Sequence, residues 1–284
     1  MRFSVASLPL LTSLVSTSPL PQPQYIFSNP SPDVQATYRI PTVHESAIQA
    51  RRILHLETIG TLSTIFPSAS SPSITEDRPA DVSGAPIGLM DYFGDCEPNT
   101  GNPTILAISI GTSFKNVAAG SNITLSLRWH PPFSHFKPPR HISAASLPRF
   151  SLVGHLEELN QAEVESQGVT QCFVKYHPDA AAWLPGNKIH ESKWVRLVVE
   201  EVYWIGGFGD RAYIGWIPLE EWKGVTKDEV EKCRLPGETK GWNSWWSIFG
   251  SIGRELCLGI VELLIRLDST ELTLDGDSVH ITIS

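Results

Sequence analysis

The segment Tyr176 to Pro218, YHPDAAAWLPGNKIHESKWVRLVVEEVYWIGGFGDRAYIGWIP, restricts the architecture more than any other part of the chain. His177-Pro178-Asp179-Ala180 opens a short helix, with proline where a missing N–H is harmless. Trp194 to Ile205 is too rich in Val and Trp for a surface helix and reads as a strand. Gly206-Gly207-Phe208-Gly209 then turns the chain into a second strand, Ala212 to Ile217. The glycines lie between strands and not at a strand-to-helix turn, so they form a tight turn and no dinucleotide loop. Glu200 and Glu201 are adjacent within the first strand, which puts them on opposite faces and excludes an acid/base pair.

The flanking sequence extends the pattern. Thr42 to Glu45 is a capping box opening a helix to about Ile59. Leu62 to Phe66 and Ile87 to Phe93 read as strands, and Ile105 to Ile110 as a strand covered on both faces. Thr112 to Ala119 reads as a short helix. Ile123, Leu125, Leu127 and Trp129 alternate with polar residues, as do Phe150, Leu152, Gly154 and Leu156 with theirs, giving two half-buried strands. Glu163 to Tyr176 is expected to be helical through Gly168, and Thr226 to Glu229 is a second capping box with a helix reaching Cys233. Six or so strands with few long helices point to an antiparallel barrel, not a doubly wound sheet.

The ends differ in character. Arg2, the uncharged apolar run Phe3 to Val15, and Ser16-Thr17-Ser18 are the three parts of a secretory signal, residues 1–18. Residues 19–43 form a leader rich in Pro, Ser and Gln, expected to be disordered. The barrel domain is expected over 44–224, a helix and turn over 225–241, and an atypical tail over 242–284. In that tail Trp242 to Arg266 reads as an amphipathic helix and no membrane span, and Glu271 to Ser284 as a weak strand pair around Asp275-Gly276.

Export frames the remaining features. Cys96, Cys172, Cys233 and Cys257 allow about three full pairings; at least one disulfide is expected, and spacing does not select it. Asn122-Ile123-Thr124 is a glycan acceptor, placing a sugar on Asn122. A net charge of −8 without a basic run excludes a nucleic-acid partner. His130, His135 and His141 lie in the proline-rich loop HPPFSHFKPPRH, which does not bring ligands together; no metal is expected. No GxSxG elbow occurs, and no catalytic residue is assigned.

Four phrases, ARRILHLETIGTLSTI (Ala50 to Ile65), LAISIGTSFKNVAAGSNITLSL (Leu106 to Leu127), RFSLVGHLEEL (Arg149 to Leu159) and HPDAAAW through IGGFGDRAYIGWIP, resemble the CREG family. These are secreted glycoproteins with the split-barrel fold of pyridoxamine 5′-phosphate oxidases, and the resemblance covers Glu45 to Gly224. It implies a mainly β (α+β) split β-barrel of about six antiparallel strands with flanking short helices. It also implies a homodimer packed through barrel faces, a protein partner such as a receptor, and a secreted or endolysosomal (vacuolar) location without established catalysis. The wider superfamily binds flavin mononucleotide (FMN), whose phosphate needs cations and N–H donors. Pro86 to Ile110, where the oxidases carry Arg and Lys, contains neither here, and Asp91 and Asp95 add the wrong sign. No cofactor is therefore expected. Were FMN to bind, Thr112, Ser113, Lys115 and Asn116 at a helix start, helped by Arg128, would hold it. A third reading, from the HPDA helix and the Gly-Gly-Phe-Gly turn, is similarity to split-barrel haem-utilisation proteins.

Overall fold

The computed structural model describes residues 39–68, 78–131 and 143–238, together with the backbone of residues 274–275 and 278–279. The signal and leader as far as residue 38, His135, His141, Cys257 and the tail helix expected over Trp242 to Arg266 lie outside the described residues. The strand pair expected around Asp275-Gly276 is present as Leu274–Asp275 against Ser278–Val279.

Helix α1, Val43–Leu56, starts at the expected capping box, with Thr42 and Glu45 each satisfying the other's backbone N–H. It stops at Glu57, earlier than expected, because Ile59 already belongs to strand β1, Ile59–Ile65. The order continues β2 Pro86–Tyr92, β3 Thr104–Ile108, α2 Thr112–Ala118, β4 Ile123–Arg128 and β5 Arg149–Glu158. Then come α3 Gln161–Gln167, α4 Val169–Tyr176, a 3-10 turn Pro178–Trp183, β6 Ser192–Ile205, β7 Ile214–Ile217, α5 Leu219–Gly224 and α6 Lys227–Lys232.

All strand pairs are antiparallel and run in the order β2-β1-β4-β5-β6-β3. Just beyond β2, Gly94 exchanges backbone hydrogen bonds with Thr104 at the start of β3. That one bridge brings the last strand back to the first, so the sheet closes at one end and stays split at the other. Long strand β6 serves two neighbours on one edge: Ser192–Arg196 pairs with β3, and Val202–Ile205 with β7. The alternating residues Ile123, Leu125, Leu127, Phe150 and Leu152 all point into the core.

Two expectations are corrected by glycine. Gly168 takes φ 62°, a left-handed conformation that ends one helix, so Glu163 to Tyr176 is two helices and not one. Gly154 sits where the β5–β6 register slips, opposite Val199, leaving Glu200 as an extra residue. The bulge breaks the period of two, so Glu200 and Glu201 are both exposed instead of facing opposite ways. A Cβ on Gly154 would lie 1.9 Å from the Val198 carbonyl oxygen, which no other residue tolerates.

Helices α5 and α6 pack on α1, and Trp222, Val225, Val230 and Leu235 join the same core as Ala47, Ala50, Ile53 and Leu54. Two buried arginines on α1 make the joint. Arg51 donates to the carbonyls of Trp222 (3.1 Å) and Pro98 and lies 5.2 Å above the Trp222 ring; burial pushes its pKa down. Arg52 pairs with Glu238 and donates to the Val230 carbonyl. Helix α5 carries no sequence signal of its own, since only six residues separate Pro218 from Val225.

Candidate functional site

Helix α2 follows β3 and lies against the end of β1. Its Ser113 and Asn116 are buried; the Asn116 side-chain amide donates to Thr64 Oγ1 at 3.0 Å, while Phe114 and Val117 pack on the core. Thr112, Ser113, Lys115 and Asn116 therefore share one seven-residue helix, but two of the four are turned inward. Arg128 is at the far end of β4. Ser63 faces Thr124 and Thr61 faces Ser126, so Arg128 lies about five residues, roughly 17 Å, from the Thr64 end where α2 packs. There Arg128 Nε donates to His130 Nε2 at 2.6 Å, and His130 Nδ1 donates to Glu57 at 2.9 Å. The five residues named for a flavin phosphate are not assembled, and as folded they do not fit one.

A cluster that sequence reasoning missed surrounds the disulfide Cys96–Cys172, which joins the β2–β3 connection to α4. His55, in the last turn of α1, donates from Nδ1 to Asp95 Oδ2 at 3.1 Å. The Asp95 side chain is 3 % exposed and its second oxygen is buried without a hydrogen-bond partner. Tyr176 donates to the His55 carbonyl oxygen at 3.2 Å; burial first, and Asp95 second, raise its pKa. Beyond it His177 donates to the Phe93 carbonyl at 2.8 Å and stacks on Tyr92, ring centroids 4.1 Å apart. Burial lowers the pKa of His177, so it serves as a neutral core residue. With Nδ1 donating to Asp95, the other ring nitrogen, Nε2, carries the lone pair of a half-exposed ring, a geometry open to one ligand bond. The adjacency of Asp95 to Cys96 is the one sequence signal that could have pointed here. Among the described residues no three His, Cys, Asp or Glu side chains are placed to hold a metal ion.

The outer face of the sheet has an unusual composition. The registers align Met90, Thr61, Ser126, Ser151, Tyr203 and Trp216 in one row across six strands. The middle of the row is hydroxyls, with Ser126 and Ser151 bonded at 2.8 Å. Its ends are exposed and apolar: Met90 is 79 % and Trp216 55 % exposed, and Trp216 stands edge-on to Tyr203 at 5.0 Å. Ser63 and Thr124 extend the hydroxyl strip on one side. Arg128 opposite Arg149 borders it at one end, Glu201 at the other. A depression of about 450 Å³ lies beside the β6–β7 turn, lined by Ser143, Ser146, Gly207, Phe208 and Arg211.

An antiparallel sheet closed by a single bridge, with short helices over its ends, defines a split-barrel protein. Residues 41–224 match the family model "CREG, beta-barrel". The chain belongs to the CREG family. Among solved structures it is similar to a heme binding protein from Mycobacterium smegmatis, at 17 % identity and a TM-score of 0.47 over 66 % of this chain and 62 % of that one. This chain thus spans under two thirds of the Mycobacterium protein. It is also similar to a FAD-binding protein from Mesorhizobium loti (14 % identity, TM-score 0.34, 55 % and 91 % covered). A pyridoxamine 5′-phosphate oxidase candidate from Lactobacillus delbrueckii is a further match (15 % identity, TM-score 0.30, 55 % and 91 % covered). No curated protein matches.

Proposed function

We propose that this chain is an exported, N-glycosylated split-barrel protein that acts by binding, as a homodimer formed through the outer face of its sheet. The observation that carries this reading is the uncharged row from Met90 to Trp216. A solvated sheet face ordinarily carries charged side chains, whereas an interface centre loses charge and gains Met, Tyr and Trp. The face is also self-complementary. A two-fold axis near Ser126 and Ser151 would bring the Arg128 and Arg149 end of one copy to the Glu201 end of the other. Asn122, exposed at the rim where β4 begins, suits the expected glycan, and the disulfide suits an oxidising compartment, secreted or endolysosomal.

The test is sedimentation equilibrium of the purified protein beside a Ser151→Arg variant. A dimer that the variant converts to a folded monomer supports the reading; a parent monomeric at micromolar concentration removes it. A redox reading rests on His55 alone, whose outward Nε2 is what an axial haem ligand would need. Flavin has no such support, because the Asn116 amide is bonded to Thr64 of β1 and Ser113 is buried. The visible spectrum of the purified protein separates the two: a Soret band marks haem, yellow colour marks flavin, and a colourless protein fits a role in binding.

A further inference from the structure

His44 is the second residue of α1, and both of its ring nitrogens meet carboxylates from different helices. Nδ1 is 2.7 Å from Glu221 Oε2 on α5, and Nε2 is 3.0 Å from Glu229 Oε1 on α6. A neutral imidazole has one N–H and one lone pair, and an ionised carboxylate can only accept. Both contacts are hydrogen bonds only when the ring is doubly protonated. Glu229 is held ionised from its other side as well. Its second oxygen accepts from the Thr226 backbone N–H at 2.8 Å and from the Thr226 hydroxyl at 2.7 Å.

We infer that His44 is an acid-closed latch that staples the first turn of α1 to α5 and α6. The other joints between these helices lie further along α1: Arg51 donates to the Trp222 carbonyl, and Arg52 donates to the Val230 carbonyl and pairs with Glu238. The neighbouring charges are engaged elsewhere, Glu45 of α1 with Arg39 ahead of the helix, and Asp228 with Lys232 on α6. On α5 the only carboxylate meeting His44 is Glu221. Loss of the second proton therefore loosens one place, where the chain enters the barrel.

The two carboxylates raise the His44 pKa above its ordinary 6.5, Glu229 contributing most and Glu221 next. A folded value above the unfolded one means that the latch is fully closed below about pH 6.5 and is released as pH rises through the raised value. The inference stands independently of export and dimerisation, though an acidic lumen is where such a latch is closed.

The test uses the full-length protein, titrating His44 by NMR and following hydrogen exchange at the Ser46 and Val230 amides, which close the first turns of α1 and α6. Between about pH 5 and pH 8, after correction for intrinsic exchange, opening at these amides is expected to increase about tenfold for each unit by which His44 is raised. His44→Gln should abolish that dependence. Glu221→Gln, which removes the charge of a side chain that is 38 % exposed and leaves an amide oxygen in its place, should bring the His44 titration back toward 6.5 in a folded protein. A His44 titrating at or below 6.5 in the parent, amide protection indifferent to pH, or an unchanged His44 titration in Glu221→Gln would each overturn the latch.

Discussion

Arg52 and Glu238 form an ion pair from which water is excluded, their side chains 1 % and 2 % exposed. It joins the first helix of the barrel to a residue beyond the stretch that matches the family model, which ends at residue 224. Removing one partner of such a pair leaves a charge with nowhere to go. Glu238→Gln is expected to cost about 3–5 kcal/mol, read as a shifted midpoint in urea unfolding. A loss under about 1 kcal/mol, the range of an exposed pair, would show that water reaches the site.

Gly154→Ala should be among the most damaging single substitutions, because the added carbon would sit 1.9 Å from the Val198 carbonyl oxygen. The bulge must then shift or the strands part, at about 3 kcal/mol or more. Thermal melting followed by circular dichroism measures it, with Gly120→Ala, strained by its φ of 96° but clear of any neighbour, as the comparison.

Reduction or the double substitution Cys96→Ser and Cys172→Ser opens a loop of 76 residues. Loop-closure entropy puts the loss at about 4 kcal/mol. The melting temperature should fall by a similar amount with dithiothreitol and with the substitutions, since both remove the same cross-link.

Acid should destabilise the helix starts in a defined window. Glu45 and Glu229 are both pushed down to about 2, Glu45 chiefly by Arg39 and then the Thr42 N–H, Glu229 chiefly by the Thr226 N–H and then His44. Depressed carboxylates stabilise above their ordinary value of 4.5 and lose that contribution as pH falls through the folded value. Carboxyl titration by NMR is expected to give both groups midpoints near 2, and Thr226→Ala should move Glu229 upward and cost about 1 kcal/mol.

Protein from the native source is expected to begin near Ser18 and to carry a glycan on Asn122. Mass spectrometry before and after glycosidase treatment checks both, and Asn122→Gln should remove the glycan without changing the melting temperature. An intact mass that includes Met1 would contradict export.

Much of the barrel is legible in the sequence because its signals are local. The Thr42 and Thr226 capping boxes and the alternation from Ile123 to Trp129 each need only a few adjacent residues. What was not legible depends on partners far away in the chain. Arg51 and Arg52 look like the solvent face of a helix, yet both are buried, since their carbonyl and carboxylate partners arrive from residues 98, 222, 230 and 238. Gly154 reads as one more strand position until β6 lies across it. The pairing of Cys96 with Cys172 and the His55–Asp95 contact are set by how α4 and α1 dock, which no spacing encodes. Asn116 looked like part of a phosphate cradle because its helix start is polar. Its partner Thr64, 52 residues earlier, turns it inward.

The docking of α1 also bears on how the protein is made. During synthesis α1 emerges early, but Glu221, Glu229 and Glu238 follow 177 to 186 residues later. At ribosomal speed that interval is on the order of ten seconds or more. Throughout it the apolar stripe of Ala47, Ala50, Ile53 and Leu54 has no cover from α5 and α6. The two arginines that later become buried would keep the nascent helix soluble for that time, so the same side chains would serve first as a guard against aggregation and afterwards as the joint that ends the need for one.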